Sequence, residues 1–406
     1  MHILIAGGGM VGLSLALLLH RDLPSTVRIT LVEGVALPDG APRQAYHPSF
    51  DARSTALSYS SASLYRKLGL WRRLEPGLAP IRHIHVSRRG RFGSSVLSAG
   101  DQGWDALGWV VENPCLGQAL LEEVRSCEGV ELRCPARVTG AVPHEQGVSV
   151  SVDGQSERAD LLIIADGAES ALRDGLGFFT RRKRYGQRAL IANLAFEHDH
   201  RGYAYERFTA SGPLALLPLP ATADSAHRMA LVWTAAPDRA NALLAMSEQE
   251  FGRALVDAFG YRLGRPLKVG ARQAYPLALT EAVEQVRRGM VVLGNAAHAL
   301  HPVAGQGFNL AVRDAAALSR ALAAALASGC SPGDTAVLGD YCERRQRDQA
   351  QTIAASDGLP ALFMAADPLL ALSRDLALSG LDVLPVLRRL FVKEAAGMAA
   401  LEAGHG

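Results

Sequence analysis

The chain has 406 residues, 49% hydrophobic and 20% charged, with a formal net charge of +2. That size and balance suit roughly two or three globular units around large cores; they exclude a disordered chain and give no reason to expect nucleic acid as a partner. Five cysteines (Cys115, Cys127, Cys134, Cys330 and Cys342) lack any C-x-x-C spacing, which argues against a zinc site or a disulfide framework and suits a reducing cytoplasm.

Met1 to Ala6 is an apolar run of strand length, and Gly7-Gly8-Gly9-Met10-Val11-Gly12 follows it into an apolar helix. In a G-x-G-x-x-G turn, Gly7 allows the tight bend, Gly9 lets backbone approach a pyrophosphate, and Gly12 permits close helix packing. A second strand ends in Glu33, 21 residues past Gly12. An acid there accepts from ribose hydroxyls and repels a 2′-phosphate, favouring FAD or NAD over NADP. A Pro/Gly-rich loop over 37–48 leads to Phe50-Asp51-Ala52-Arg53, then to a helix with Leu64, Leu68 and Leu70 as its apolar side. Residues 81–87 alternate like a strand and 114–124 read as a helix. Segments 130–133, 137–142 and 147–152 read as a meander or hairpin with Gly154 in a turn.

Leu161 to Ala165 resumes the buried-strand style and ends in Asp166-Gly167-x-x-Ser170-x-x-Arg173, where Asp166 is a candidate helix cap. Alternating segments between about 186 and 279, with one helix at 247–259, predict an inserted antiparallel sheet that floors a cavity. Val291-Val292-Leu293 then breaks at Gly294-Asn295, and Gly305-Gln306-Gly307 opens a long Ala/Leu helix. The helix opening presents backbone N–H groups and a positive dipole end to developing negative charge.

These three motifs, in this order and spacing, resemble the single-component flavoprotein aromatic hydroxylases of the p-hydroxybenzoate hydroxylase type. Within that superfamily the chain is most similar to the ubiquinone-biosynthesis hydroxylases of the UbiH type. The likeness rests on Phe50-Asp51-x-Arg53, Ile84-His85-Val86-Ser87, Tyr205-Glu206-Arg207-Phe208-Thr209, Gly212-Pro213-Leu214, Ala274-Tyr275-Pro276 and His301-Pro302-x-Ala304-Gly305-Gln306-Gly307-Phe308-Asn309. It implies an α/β fold: a discontinuous Rossmann-like FAD-binding domain (1–80, 110–185, 281–350), an inserted antiparallel-sheet substrate domain (81–109, 186–280), and a C-terminal helical region (351–406).

The resemblance also implies site residues. Gly7, Gly9, Gly12 and Glu33 would hold the adenosine of FAD, and Arg53 and Gln118 would contact its phosphate, ribityl or ring parts. Asp166 and Gly167 would lie at the dinucleotide cleft. The backbone of Gly305, Gln306, Gly307, Phe308 and Asn309 would face the flavin. Asn295 stands where the wider superfamily usually has Asp, and its amide oxygen can still accept a ribityl hydroxyl. His298 would place the turn, His301 and Pro302 would line the site, and the Pro302 carbonyl is a candidate acceptor for a substrate hydroxyl. For Tyr205, Arg207 and Phe208, cavity wall and core packing are equal readings. Reduced flavin and O2 would hydroxylate the ring of a 2-polyprenyl-6-methoxyphenol, with NAD(P)H as external reductant and no metal.

A polyprenyl tail of about forty carbons would cost on the order of 30 kcal/mol to move from lipid into water. The resemblance therefore implies contact with a membrane surface or a ubiquinone-biosynthesis complex, with the protein cytoplasmic or peripheral on the inner membrane. Leu359, Leu362, Phe363, Leu369, Leu370, Leu384, Leu387, Leu390 and Phe391, beside Arg374, Arg388, Arg389 and Lys393, suit amphipathic helices. Packing onto the FAD unit or onto a sister subunit of a homo-oligomer is the other reading. A sibling hydroxylase, a prenyl-chain flavin reductase and an FAD-free binder of prenylated partners stay open as alternatives.

Overall fold

The computed structural model describes residues 1–37, 53–89, 94–209, 211–302 and 305–364, with side chains to residue 358. Leu369 to Lys393, where the amphipathic pattern lies, fall outside the described residues.

A six-stranded sheet runs in the order Val286–Arg287, Met290–Val292, Leu161–Ile164, His2–Ala6, Arg28–Val32, Val130–Arg133. Its ladders are parallel except at the outer Val286–Arg287 pair. The inner strands are near-continuous Ile, Leu and Val runs because both faces are covered. On one face Ile3, Ile5, Ile29 and Ile163 pack with residues of the Met10–Asp22, Asn113–Ser126 and Gln306–Ala327 helices. On the other, Leu4, Val32, Leu162 and Ile164 meet a meander of Val138–His144, Gly147–Val152 and Gln155–Ala159.

A second, larger sheet runs His298–Ala299, Gln273–Ala282, Thr180–Phe196, Arg228–Ala235, Gly212–Leu219, Tyr203–Thr209, His83–Arg88, Ser94–Ser98, with Pro266–Val269 also paired to Thr180–Phe196. Leu190, Leu214, Leu231 and Trp233 project from one face onto Leu243, Phe251 and Leu255 of two helices, Pro237–Ala245 and Glu248–Phe259. Ser247 starts the second helix with a reciprocal capping box to Glu250. The opposite face rests at one end on a small sheet of Ser54–Ser58, Gly108–Glu112 and Leu78–Ile81, where Ala204, Leu219 and Ala230 pack with Ile81, Leu107 and Val110.

Several expectations need correction. Val130–Arg133 is an edge strand of the parallel sheet, not part of the meander; with only one side covered it alternates like a half-buried strand, which is what misleads the pattern. The meander's third strand is instead Gln155–Ala159, whose charged face hides it. Residues 81–87 are split at Arg82 between two sheets, because Arg82 and His83 both donate backbone N–H to the Gly202 carbonyl. The larger sheet, expected to be antiparallel, is mixed, since Tyr203–Thr209 and His83–Arg88 run parallel. The 17-residue strand Thr180–Phe196 begins before the expected boundary at 186. In the Tyr59–Lys67 helix the buried face is Ser61, Ala62 and Tyr65, with Leu64 only partly covered.

Thr335–Met364 forms the last described helix. It packs Leu338 and Tyr341 into the core beside Leu318 and Leu322, and ion pairs add to that contact with the Gln306–Ala327 helix. Arg345 Nε donates to Asp314 at 2.6 Å, and Arg313 Nε donates to Asp348 at 2.8 Å. Asp314 is 1% exposed. Among the described residues no helix is long and apolar enough to cross a membrane.

Candidate active site

The first glycine turn is held by contacts that tolerate no side chain. Gly7 has φ +116° and donates to the Val32 carbonyl at 2.8 Å. A Cβ on Gly7 would lie 2.4 Å from the Ala165 oxygen, and one on Gly12 would lie 1.9 Å from the Gly7 oxygen. Gly8, a variable position in the motif, is equally constrained: its Cβ would meet the Glu33 Cβ at 2.7 Å. Gly9 starts the Met10–Asp22 helix with no side-chain cap and no acid in the first turn. Its positive end is therefore open to an anion. Glu33 Oε2 accepts the Gly8 N–H at 2.7 Å and Oε1 the Val35 N–H at 2.8 Å. Each oxygen has lone-pair capacity for a second donor such as a ribose hydroxyl.

The second wall begins where Leu161–Ile164 ends. Ser170 is the N-cap of the short helix that follows, its Oγ accepting the Arg173 N–H at 3.0 Å, and the exposed Asp166 shares the capping by taking a hydrogen bond from the Leu172 backbone in the first turn. Crowding desolvates the Asp166 carboxyl enough to raise its pKa, against a hydrogen bond from Ser170 that lowers it. Gly167 has φ +101° with open space where a Cβ would point. Arg173 is 0% exposed and donates to the Ala168 oxygen at 3.2 Å and the Ala296 oxygen at 2.8 Å. It ties this wall to the Gly294–Ala296 turn, a role its place in the motif did not reveal. Gly294 has φ +65°, and a Cβ there would stand 3.0 Å from Val11 at the start of the first helix. Asn295 is exposed on the same turn.

The third wall is the opening of the Gln306–Ala327 helix. Gly305, with φ +61°, is its N-cap and abuts Ala56, and again no side chain caps the helix and no acid stands in its first turn. Gln306, Gly307 and Phe308 are half-buried at this opening. Asn309 is 1% exposed and turns inward: Oδ1 accepts the Ser58 N–H at 2.8 Å, and Nδ2 donates to the Ala56 oxygen at 2.8 Å and the Gly305 oxygen at 2.9 Å. Its side chain is thus a clamp between the small sheet and the helix. Arg53 leads into that sheet, its carbonyl accepting the Asn113 N–H at 2.9 Å and its guanidinium lying 5.4 Å from the Tyr275 ring centre. Gln118 donates to Glu122 at 2.6 Å, while its Oε1 is buried without a hydrogen-bond partner among the described residues.

His301 does not line an open site. It is 1% exposed, edge-on to Tyr185 at 5.0 Å, with its carbonyl accepting from Ser356. Desolvation lowers its pKa to about 4. Tyr185, with Ser356 and Asp357 of the last helix, lies beside it. The half-buried Pro302 has its carbonyl already accepting the Gly305 N–H at 3.2 Å. His298 is buried too, its pKa lowered by desolvation, which fits turn placement rather than proton transfer.

Three glycine turns, two helix openings without caps and one acid at a strand end therefore converge along the carboxyl ends of one parallel sheet. The donor set suits a dinucleotide bearing a large ring: uncapped N–H groups for phosphate and for an electron-rich edge, and Glu33 for ribose. A model of an FAD binding domain matches residues 1–356. The chain is 35% identical to the ubiquinone hydroxylase UbiL of Rhodospirillum rubrum, over 98% of this chain and 90% of that one. It is 32% identical to the 3-demethoxyubiquinol 3-hydroxylase of Escherichia coli, over 98% of each. Among solved structures, p-nitrophenol 4-monooxygenase PnpA from Pseudomonas putida shares the fold at TM-score 0.76 and 20% identity, covering 97% of this chain and 98% of that one. The chain belongs to this FAD-binding family, as a flavoprotein monooxygenase of the ubiquinone-biosynthesis hydroxylase group.

Proposed function

We propose that the chain hydroxylates the aromatic ring of a 2-polyprenyl-6-methoxyphenol to the 1,4-benzoquinol, with O2 as co-substrate and NAD(P)H as electron donor. The observation that carries the reading is the opening of the Gln306–Ala327 helix, without a cap or an acid, at the end of a sheet whose other loops suit adenosine and phosphate. FAD, when bound, supplies the two-electron activation of O2 that no side chain can.

The chain's own residues bind, orient and exclude water. Gly7, Gly9, Gly12 and Glu33 hold the adenosine end, and Arg53 and Gln118 hold the middle. Asp166, Gly167 and Asn295 flank the cleft. Backbone N–H groups at Gly305, Gln306, Gly307 and Phe308 offset negative charge on the ring edge, and Asn309 fixes that turn from behind. His301 and Pro302 shape the turn rather than move protons. The half-open face of the larger sheet supplies the substrate wall, and its apolar rows keep water from the reacting centre. The prenyl tail stays with a lipid surface or a partner while the ring enters.

By name, the E. coli relative acts on 3-demethoxyubiquinol, so hydroxylation at another ring position is the second reading. Mass spectrometry of the quinone intermediate that accumulates when the gene is removed separates the two. The first predicts a methoxyphenol lacking the new hydroxyl; a quinol already oxidised at that carbon would contradict it.

A further inference from the structure

The larger sheet has two faces, and its registers decide which side chain lies on which. Paired residues share a face and alternate along each strand. Glu206 pairs with Val86 on one side and Ala215 on the other, Ala215 with Val232, Val232 with Ile191, and Ile191 with Gln273. The next row on this face ends in Tyr275, the residue under Arg53. The row on the other side includes Asn193, whose amide donates to Glu112 of the small sheet at 3.0 Å. This face therefore looks toward Arg53 and the small sheet that carries Ala56 against Gly305. Tyr205 and Arg207 lie on the reverse: Tyr205 is edge-on to Phe259 at 5.2 Å and Arg207 donates to the Ala258 oxygen.

Glu206 is thus a carboxyl on the sheet face turned toward the small sheet, between Val86 and Ala215 across the strands and buried Ala204 and Phe208 along its own. It keeps part of its surface open, yet protein surrounds it closely enough to raise its pKa to about 7 through loss of water. Among the described residues it has no hydrogen-bond or ion-pair partner. Arg88, Arg228 and Tyr275 share its face, and Arg53 and Glu112 come from the elements opposite, but none of these charges contributes to its shift. A lone carboxyl deprived of water costs stability unless a ligand satisfies it.

We propose that Glu206 is the acceptor for the substrate's ring hydroxyl: it takes the hydrogen bond of the phenol and, as the ring is attacked, its proton. The phenolic O–H bond breaks, the proton passes to the Glu206 carboxylate, and the electron pair stays on the phenolate oxygen. There it enriches the ring carbons that receive the new hydroxyl. This assignment rests on the phenol-hydroxylase reading above.

The test uses the FAD-loaded enzyme with 2-geranyl-6-methoxyphenol and its O-methyl ether, measuring binding by flavin fluorescence and turnover by product. Wild type binds the phenol at least about tenfold tighter than the ether, and kcat/KM rises as pH passes about 7. Glu206→Leu keeps FAD and loses the preference for the phenol. Glu206→Gln, which keeps the shape, loses the rise with pH and about a hundredfold in kcat. Full phenol preference in Glu206→Leu, or an unaltered pH profile in Glu206→Gln, overturns the assignment. Wild type that binds neither compound sinks the assigned reaction together with it.

Discussion

At the scale of single residues, the site is built mostly from atoms that are missing. Gly12 shows this best, because a methyl there would sit 1.9 Å from the Gly7 oxygen. Both ends of that contact are backbone, so neither can give way locally. Gly12→Ala is expected to release FAD by opening the turn, read as lost visible absorbance in the purified protein. Gly140→Ala, where a Cβ meets nothing within 4 Å, should keep full flavin content. Equal flavin in the two variants would contradict the role given to Gly12. This part of the site was legible in the sequence because spacing alone encodes it: a strand, glycines at set intervals, then an acid. Arg173 and the inward-facing Asn309 were not legible in the same way. Their partners are carbonyls of Ala296, Ala56 and Gly305, and a backbone carbonyl that accepts from a side chain leaves no pattern in residue types. Glu206 was not legible either, since only strand register shows that it and its neighbours Tyr205 and Arg207 lie on opposite faces.

At the scale of elements, the two C-terminal helices are joined through a buried ionic cluster. Arg345 and Asp314 are 7% and 1% exposed, Asp314 also accepts from Gln349, and Arg313 reaches across to Asp348. Desolvation raises the Asp348 carboxyl, but Arg313 and Arg345 outweigh it and leave the pKa below the ordinary value. Removing one partner strands the other charge in the interior, which costs about 3–5 kcal/mol. Asp314→Ala should therefore lower stability toward urea by about that amount, whereas Arg344→Ala, which breaks an exposed pair with Asp340, should cost about 0–1 kcal/mol. Similar losses for both would show that the cluster does not hold the helices. Strands were legible where they are buried on both faces, as in the Leu161–Ile164 run. They failed at edges: Val130–Arg133 and Gln155–Ala159 have one covered side, and alternation there does not say which sheet a strand joins.

At the scale of the whole molecule, the parallel sheet and the larger mixed sheet meet across the small sheet of Ser54–Ser58, Leu78–Ile81 and Gly108–Glu112. Two buried histidines, His85 in a strand of the larger sheet and His301 in the turn after its His298–Ala299 strand, have pKa values lowered to about 4. Loss of water is the main cause at both, joined at His85 by the charge of Arg262. The unfolded chain takes up protons at an ordinary value of about 6.5, so it binds more protons than the native state between there and about 4. Stability is therefore full above about pH 6.5 and falls as pH drops toward 4. Thermal melts across that range should show the fall, and His301→Leu should flatten part of it; an unchanged slope in that variant would place the proton uptake elsewhere.

The most direct measurement for the account as a whole is the fate of molecular oxygen. Under 18O2, the FAD-loaded protein with NAD(P)H and 2-geranyl-6-methoxyphenol should give a ring-hydroxylated product carrying one labelled oxygen atom for each NAD(P)H oxidised. Hydrogen peroxide as the sole oxygen product, or a reduced prenyl chain with no label in the ring, would contradict it.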